Sequence, residues 1–273
     1  EEAGCAITSV FPQSPDDPVE QAALVEQALL QKPDVVLLAP AHPSHLDPQI
    51  IKLQEAGIPV VSFVSRSKAM APKCFVTSDN YALAYEITNF LLAHLGGRGR
   101  LIIMEGNPNS ETSAPRTNGF EDAIAANPSA SIVTRGIGNY QRADAYAEMV
   151  KILAAQPEFD GVLVANDFMA LGVIQALEEA GHKVPVVSVN AMPDAIAALK
   201  KGTLLATAAF DAMKIACASA QAAIRIVRNE QVPVEISLPV SIVTAENCAE
   251  YDRPYEERAL PTWESAAGGS INA

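Results

Sequence analysis

The chain has 273 residues, of which 49% are hydrophobic and 19% charged, the composition of a folded globular protein and not of a disordered or fibrous one. Its net charge of −13, with no cluster of Lys or Arg, excludes a phosphate backbone as partner, so no nucleic acid is expected. No run of roughly 18 apolar residues that could span a bilayer occurs, and Glu1-Glu2 do not begin a basic-then-apolar leader; the chain reads as cytoplasmic or as one whose leader has been removed.

In chain order, short apolar and β-branched runs alternate with segments of helical period. The runs are Cys5 to Val10, Val35 to Leu38, Val60 to Phe63, Phe75 to Thr77, Leu101 to Met104, Ile132 to Val133, Val162 to Val164, Val186 to Val189 and Leu205 to Ala209. Continuous apolar strands of this kind belong to parallel sheets covered by helices on both faces. Between them, residues 80–95 place Leu83, Ile87, Phe90, Leu91 and Leu95 on one stripe, with Gly96-Gly97 as the stop; Ala180-Gly181 closes a second helix, and a third is expected to start at an Asp194 cap and close at Gly202. The repeated βαβ order predicts two Rossmann-like, doubly wound lobes, with a seam near Thr77-Ser78-Asp79. The segment 252–273, which carries Pro254, Pro261 and Gly268-Gly269, loses periodicity and reads as a surface-wrapping, partly disordered tail.

Ligands of open parallel α/β sheets bind beyond the carboxyl ends of the strands, where loops and helix N-termini converge. The residues that follow the strands are Ser65-Arg66, Glu105-Gly106-Asn107, Tyr140-Gln141-Arg142, Asn166-Asp167, and Asn190 with Asp194. Amides, carboxylates, a guanidinium and aromatic rings together suit a polyhydroxylated ligand, because planar polar groups hydrogen-bond vicinal hydroxyls while rings cover the C–H face. Each residue also has a structural reading: Asn166 or Asp167 as a helix cap, Asn190 as a turn residue, Tyr140 as a half-buried core ring, Arg116 as a solvated charge at a helix start.

Enzyme templates are missing from the sequence. There is no G-x-x-x-x-G-K-[ST] loop and no G-x-S-x-G elbow, and Gly136-Ile-Gly138-Asn-Tyr-Gln141 fails the dinucleotide fingerprint at its third glycine. No cofactor is expected. His42 and His45 have loop spacing but lack a carboxylate or Cys partner, so no metal site is assigned. Cys5, Cys74, Cys217 and Cys248 are scattered without C-x-x-C spacing and read as mostly buried thiols that leave the compartment open.

The run Asn166-Asp-Phe-Met-Ala-Leu-Gly172, then Val186-Val-Ser-Val-Asn190-Ala-Met-Pro-Asp194 and Gly202-Thr-Leu-Leu-Ala-Thr207, resembles the ribose-type periplasmic sugar-binding proteins. Asp34 to Pro40, Ala56-Gly-Ile-Pro-Val60, Ser78-Asp-Asn80 and Arg116-Thr-Asn-Gly-Phe120 agree, so the likeness extends to about Val243. It implies the type I periplasmic binding fold, a non-enzymatic α/β protein whose two lobes are joined by a multi-strand hinge. Residues 1–78 with 211–239 would form one lobe, and 79–210 with 240–251 the other, hinged near Ser78, Phe210-Asp211 and Pro239-Val240. It further implies a monomer of the periplasm that carries a small sugar or polyol to the membrane permease of an ABC transporter. The effector domain of a lactose-repressor-like regulator shares this fold and is the alternative.

Position by position, the resemblance makes Arg116 the arginine that grips ring oxygens, Tyr140 the stacking ring and Asn166 the hydroxyl-binding amide. Asn190 stands in the place of an aspartate and Phe210 in that of a glutamine; Val64-Ser65 fall on an Asp-Arg pair, with Arg66 one place on. Ribose is therefore not the expected ligand, and a polyol, a deoxysugar or a sugar acid all remain open. The family's opening strand and helix have no counterpart ahead of Glu1-Glu2-Ala3-Gly4, which implies that on the order of 30 residues precede this sequence.

Overall fold

A computed structural model describes residues 4–14, 17–68 and 72–267. The first sheet is built from β1 (Val36–Leu38), β2 (Val60–Phe63), β3 (Cys74–Ser78) and β9 (Glu235–Leu238), all parallel and in that order. The second runs β10-β8-β7-β6-β4-β5, with β4 at Gly99–Glu105, β5 at Ala130–Ile137, β6 at Gly161–Val164, β7 at Val186–Val189, β8 at Ala206–Ala208 and β10 at Ile242–Val243. Only β10 is antiparallel to its neighbour among the described strands. This is the expected α/β architecture, and the burial of every residue of β3, β6 and β7 explains why their sequences show no alternation of apolar and charged residues and admit only small hydroxyl side chains, Thr77, Ser78 and Ser188, among the apolar ones.

The chain passes between the sheets three times. It leaves the first after β3, returns after β8, and crosses again between β9 and β10. Helices α1 (Pro18–Gln31) and α2 (Asp47–Glu55) pack with the first sheet, and Val25, Leu38, Leu46, Ile50, Leu53, Ile58 and Val60 form a small core there. Helices α3 (Asn80–His94), α4 (Ser113–Ala125), α5 (Arg142–Ala154), α6 (Asp167–Glu179) and α7 (Pro193–Lys201) accompany the second sheet, while α8 (Ala212–Val227) lies against β1, β2 and β3. The larger core runs from Val61 and Val76 through Leu101 to Met104 to Ile236 without a break, so apolar packing passes through the crossing.

Local chemistry fixes the helix ends. The Asp79 carboxylate accepts the Ala82 N–H at the start of α3, and the helix stops where Gly96 and Gly97 turn left-handed at φ 74° and 77°. Two expectations need correcting. The Cys5 to Val10 run forms no strand: its Ile7 and Val10, like the adjoining Phe11, are exposed, and apolar propensity makes a strand where the side chains pack on a half-buried surface. Asp194 is not a cap: α7 opens at Pro193 after Met192, and Asp194 sits one residue inside, where its charge complements the helix dipole.

After β10 the chain folds back over both sheets. Asp252 pairs with Lys200 of α7 at 2.8 Å, and the buried Arg258 donates to the carbonyls of Tyr251 and Arg253. Helix α9 (Trp263–Ala267) then docks on α8 and β9, where the Arg225 guanidinium lies 4.4 Å from the Trp263 ring centre. The described part of the 252–273 tail is therefore folded; Gly268-Gly269 lie outside the described residues.

Two helix pairs touch through glycine. A methyl group on Gly172 of α6 would stand 2.2 Å from the Arg142 carbonyl oxygen, and one on Gly119 of α4 would stand 2.4 Å from that of Tyr81. Backbone cannot step aside cheaply, so Gly172→Ala and Gly119→Ala are each expected to cost about 1–3 kcal/mol. Urea unfolding checks this; midpoints unchanged from the parent would show that the helices separate freely.

Candidate functional site

Arg116 sits in the first turn of α4, yet it is 4% exposed. Its Nε donates to Asn80 Oδ1 at 2.9 Å and its Nη1 to the Ala165 carbonyl at 2.5 Å. Two rings flank the guanidinium, Tyr140 at 5.8 Å and Phe210 at 5.3 Å from its carbon. Burial draws the guanidinium pKa down, while Tyr140 and Asp167 oppose the shift. This burial excludes a solvated charge at a helix start.

The groups around Arg116 come from strand tips. Tyr140 follows β5, Ala165 and Asn166 follow β6, and Phe210 follows β8. β4 pairs with β5 on one side and β6 on the other, so this is where the strand order of the second sheet reverses, the place at which such sheets bind ligands. Asn166 is both cap and bridge: its Oδ1 accepts the Met169 N–H at 2.9 Å and its Nδ2 reaches the Tyr140 carbonyl at 3.4 Å. The Tyr140 hydroxyl meets the Thr112 hydroxyl at 2.9 Å, and its ring lies so close over Gly106 that a methyl group there would be 2.2 Å from it.

Asn190 is held beside the strand that leads to Phe210, because its N–H donates to the Ala208 carbonyl at 2.8 Å. Its Oδ1 is buried without a partner among the described residues. The Asp167 carboxylate fixes this loop: it accepts from Ser188 Oγ at 2.5 Å, Thr207 Oγ1 at 2.8 Å and the Met192 N–H at 2.7 Å.

Backbone strain gathers at the same tips. Tyr140 and its neighbour Asn139 have φ of 61° and 51°, Asn190 and Ala191 have 133° and 57°, and the β-branched Val64 has 65°. Non-glycine residues adopt such angles at a cost, and only where their surroundings over-determine them.

Ser65 and Arg66 belong to the loop after β2 in the other sheet and make no hydrogen bond or ion pair with the Arg116 group. Ser65 Oγ donates to the Pro40 carbonyl at 2.6 Å. Arg66 lies over the Phe75 ring, its Nη1 is 3.4 Å from Glu235, and its N–H donates to the Glu111 carboxylate, so it joins the first sheet to the loop before α4. Burial raises the Glu111 pKa against the pull of Arg66.

The model of the periplasmic binding protein domain matches residues 1–231 of this chain. The chain belongs to the periplasmic binding protein family. A D-ribose/D-allose-binding protein of Pseudomonas aeruginosa is 30% identical over 241 residues, 84% of this chain and 75% of that protein. A xylitol-binding protein of Mycolicibacterium smegmatis is 26% identical over 243 residues, 88% of this chain and 70% of the other. Among solved structures, an ABC transporter periplasmic solute binding protein of Actinobacillus succinogenes with bound D-allose superposes with a TM-score of 0.83 at 27% identity, covering 88% of this chain and 86% of that one.

In this periplasmic binding protein, Asn80, Gly106, Glu111 and Thr112 join the candidate residues. Gly106 reads in the sequence only as a strand-tip residue and Asn80 only as part of a shared run, and spacing gives no signal for Glu111 or Thr112, because each matters through a partner distant in sequence. Asp167 reads in the sequence as a strand-tip acid or a helix cap; Asn166 is the cap, and Asp167 opens α6. Burial pushes its carboxyl up to about 6, against its hydrogen bonds and the field of Arg116.

An unfolded aspartate titrates near ~4, so the folded chain holds this proton more tightly. The resulting stabilisation is complete below pH ~4 and is lost as pH rises through about 6. Asp167→Asn cannot ionise, and its melting temperature should fall less across that window than the parent's, whatever its baseline. Parallel curves in a thermal-unfolding series would contradict the buried titration.

Proposed function

We propose that this chain is the solute-binding protein of an ABC transporter, a non-enzymatic monomer of the periplasm that encloses one small polyhydroxylated molecule between two lobes. Residues 1–78 with 211–239 form one lobe and 79–210 with 240–251 the other, turning about the crossings near Ser78, Phe210-Asp211 and Pro239-Val240. The observation that carries this reading is the convergence of Tyr140, Phe210 and the Ala165 carbonyl on the buried Arg116 guanidinium at the strand-order reversal, with Asn166 bonded to the Tyr140 carbonyl beside it. The ligands for which these relatives are named, ribose, allose and xylitol, are all polyhydroxylated, which supports the same class of solute here.

The solute is gripped by Arg116, by the amides of Asn166 and Asn190, and by the faces of Tyr140 and Phe210. Ser65 and Arg66 contribute from the opposite lobe. A solute that binds the closed form better than the open one shifts the population toward closure by the difference in affinity and no more. The closed pair of lobes then presents a composite surface to the permease. The Arg66–Glu111 contact spans the two sheets and adds to closure, although Arg66 is half exposed, so its share is about 1 kcal/mol or less.

A thermal-shift screen over pentoses, hexoses, polyols and sugar acids should reveal a stabilising ligand, since a tight binder raises stability by mass action. With that ligand, calorimetry on Arg116→Ala and Asn166→Ala should show losses of about 1–3 kcal/mol or more, because each leaves buried polar groups unpaired. Unchanged affinity in both variants would remove the site from this location.

A further inference from the structure

Arg116 is a buried cation with no anion against it. Asn80 and the Ala165 carbonyl, which hold it, are neutral dipoles, and no carboxylate of the described residues forms an ion pair with it. A guanidinium has five N–H donors, and the protein engages one on Nε and one on Nη1. The acids nearby in sequence or loop are already committed. Glu105 lies 3.8 Å from Arg135, Glu111 accepts from Arg66, and Asp211 lies 3.2 Å from Lys214 while capping α8. Asp167 is the one acid among the described buried residues; its field reaches Arg116, but its oxygens are taken by Ser188, Thr207 and Met192.

A buried charge without a counter-charge is costly, and the cost is relieved when a bound group supplies the opposite sign. A second observation gives the other end of the ligand. Asn190 Oδ1 is a buried acceptor with no donor among the described residues, beside the strand that leads to Phe210. The site thus offers N–H donors and positive charge at one point, a vacant acceptor at another, and two aromatic faces.

We infer that the solute is a sugar acid, a polyhydroxylated monocarboxylate whose carboxylate takes the outer N–H edge of Arg116 while a hydroxyl donates to Asn190 Oδ1. The planar fork matches a carboxylate through two parallel N–H···O bonds. One guanidinium balances a single negative charge, which disfavours a phosphate ester carrying nearly two. This inference rests on the proposed function and narrows its solute class.

Calorimetry with matched sets tests it: gluconate, glucose and glucitol; galactonate, galactose and galactitol; ribonate, ribose and ribitol; with glucose 6-phosphate beside them. In one set the acid should bind at least about tenfold more tightly than its own neutral aldose and alditol. That preference should disappear in Arg116→Gln and shrink in Asn190→Asp, which adds a competing carboxylate to the site and keeps the test alive if the arginine variant fails to fold. Tightest binding by a neutral aldose or alditol overturns the charge assignment and leaves the uptake reading standing. Tightest binding by the phosphate ester also overturns it, and no binding by any probe overturns both.

Discussion

The constraint on which the site depends is the removal of one guanidinium from water. Arg116 keeps its charge inside the protein only because groups from separate elements reach it: Asn80 from the start of α3, Ala165 from the end of β6, Tyr140 from beyond β5 and Phe210 from beyond β8. None of these is close to another in sequence. Each must be delivered by the sheet, and the sheet delivers them because parallel strands end on the same side. The packing of β4, β6 and β7, buried throughout or nearly so, is thus connected to the candidate site through one side chain.

The same requirement accounts for the strained loops. Tyr140 turns left-handed and lays its ring over Gly106, where any larger residue would displace it. Asn190 and Ala191 are unfavourable as well, and Asp167 restrains their loop by accepting the Met192 N–H from one side while it binds Ser188 and Thr207 from the other. Strain of order 1–3 kcal/mol at each such residue persists only with support of this kind. A loop held by buried hydrogen bonds presents its polar atoms already placed, which lowers the entropy lost when a solute arrives.

Much of this was legible in the residues themselves. β2 and β7 coincide with their apolar runs, and α3 starts at Asn80 because Asp79 is a favoured cap. The strand-tip rule brought Tyr140, Asn166 and Asn190 forward, and the family likeness added Arg116 and Phe210. Misreadings came from rules that look only at neighbours. Cys5 to Val10 has strand propensity but forms no strand, β5 extends from Ala130 to Ile137 although only Ile132-Val133 is plainly apolar, and Pro193 set the start of α7 where Asp194 looked the better cap. Thr112 and Glu111 were invisible, and the part Asn80 plays was too, because their importance lies in who faces them.

The returning segment after β10 has a mechanical meaning. It is fastened to α7 through Asp252 and Lys200, and to α8 through Glu250 with Lys214 and Trp263 with Arg225. A strap fastened to α7 beside the second sheet and to α8 against the first resists parting of the two sheets on its side. Arg66 with Glu111 is a separate tie between the two sheets that uses none of these fastenings.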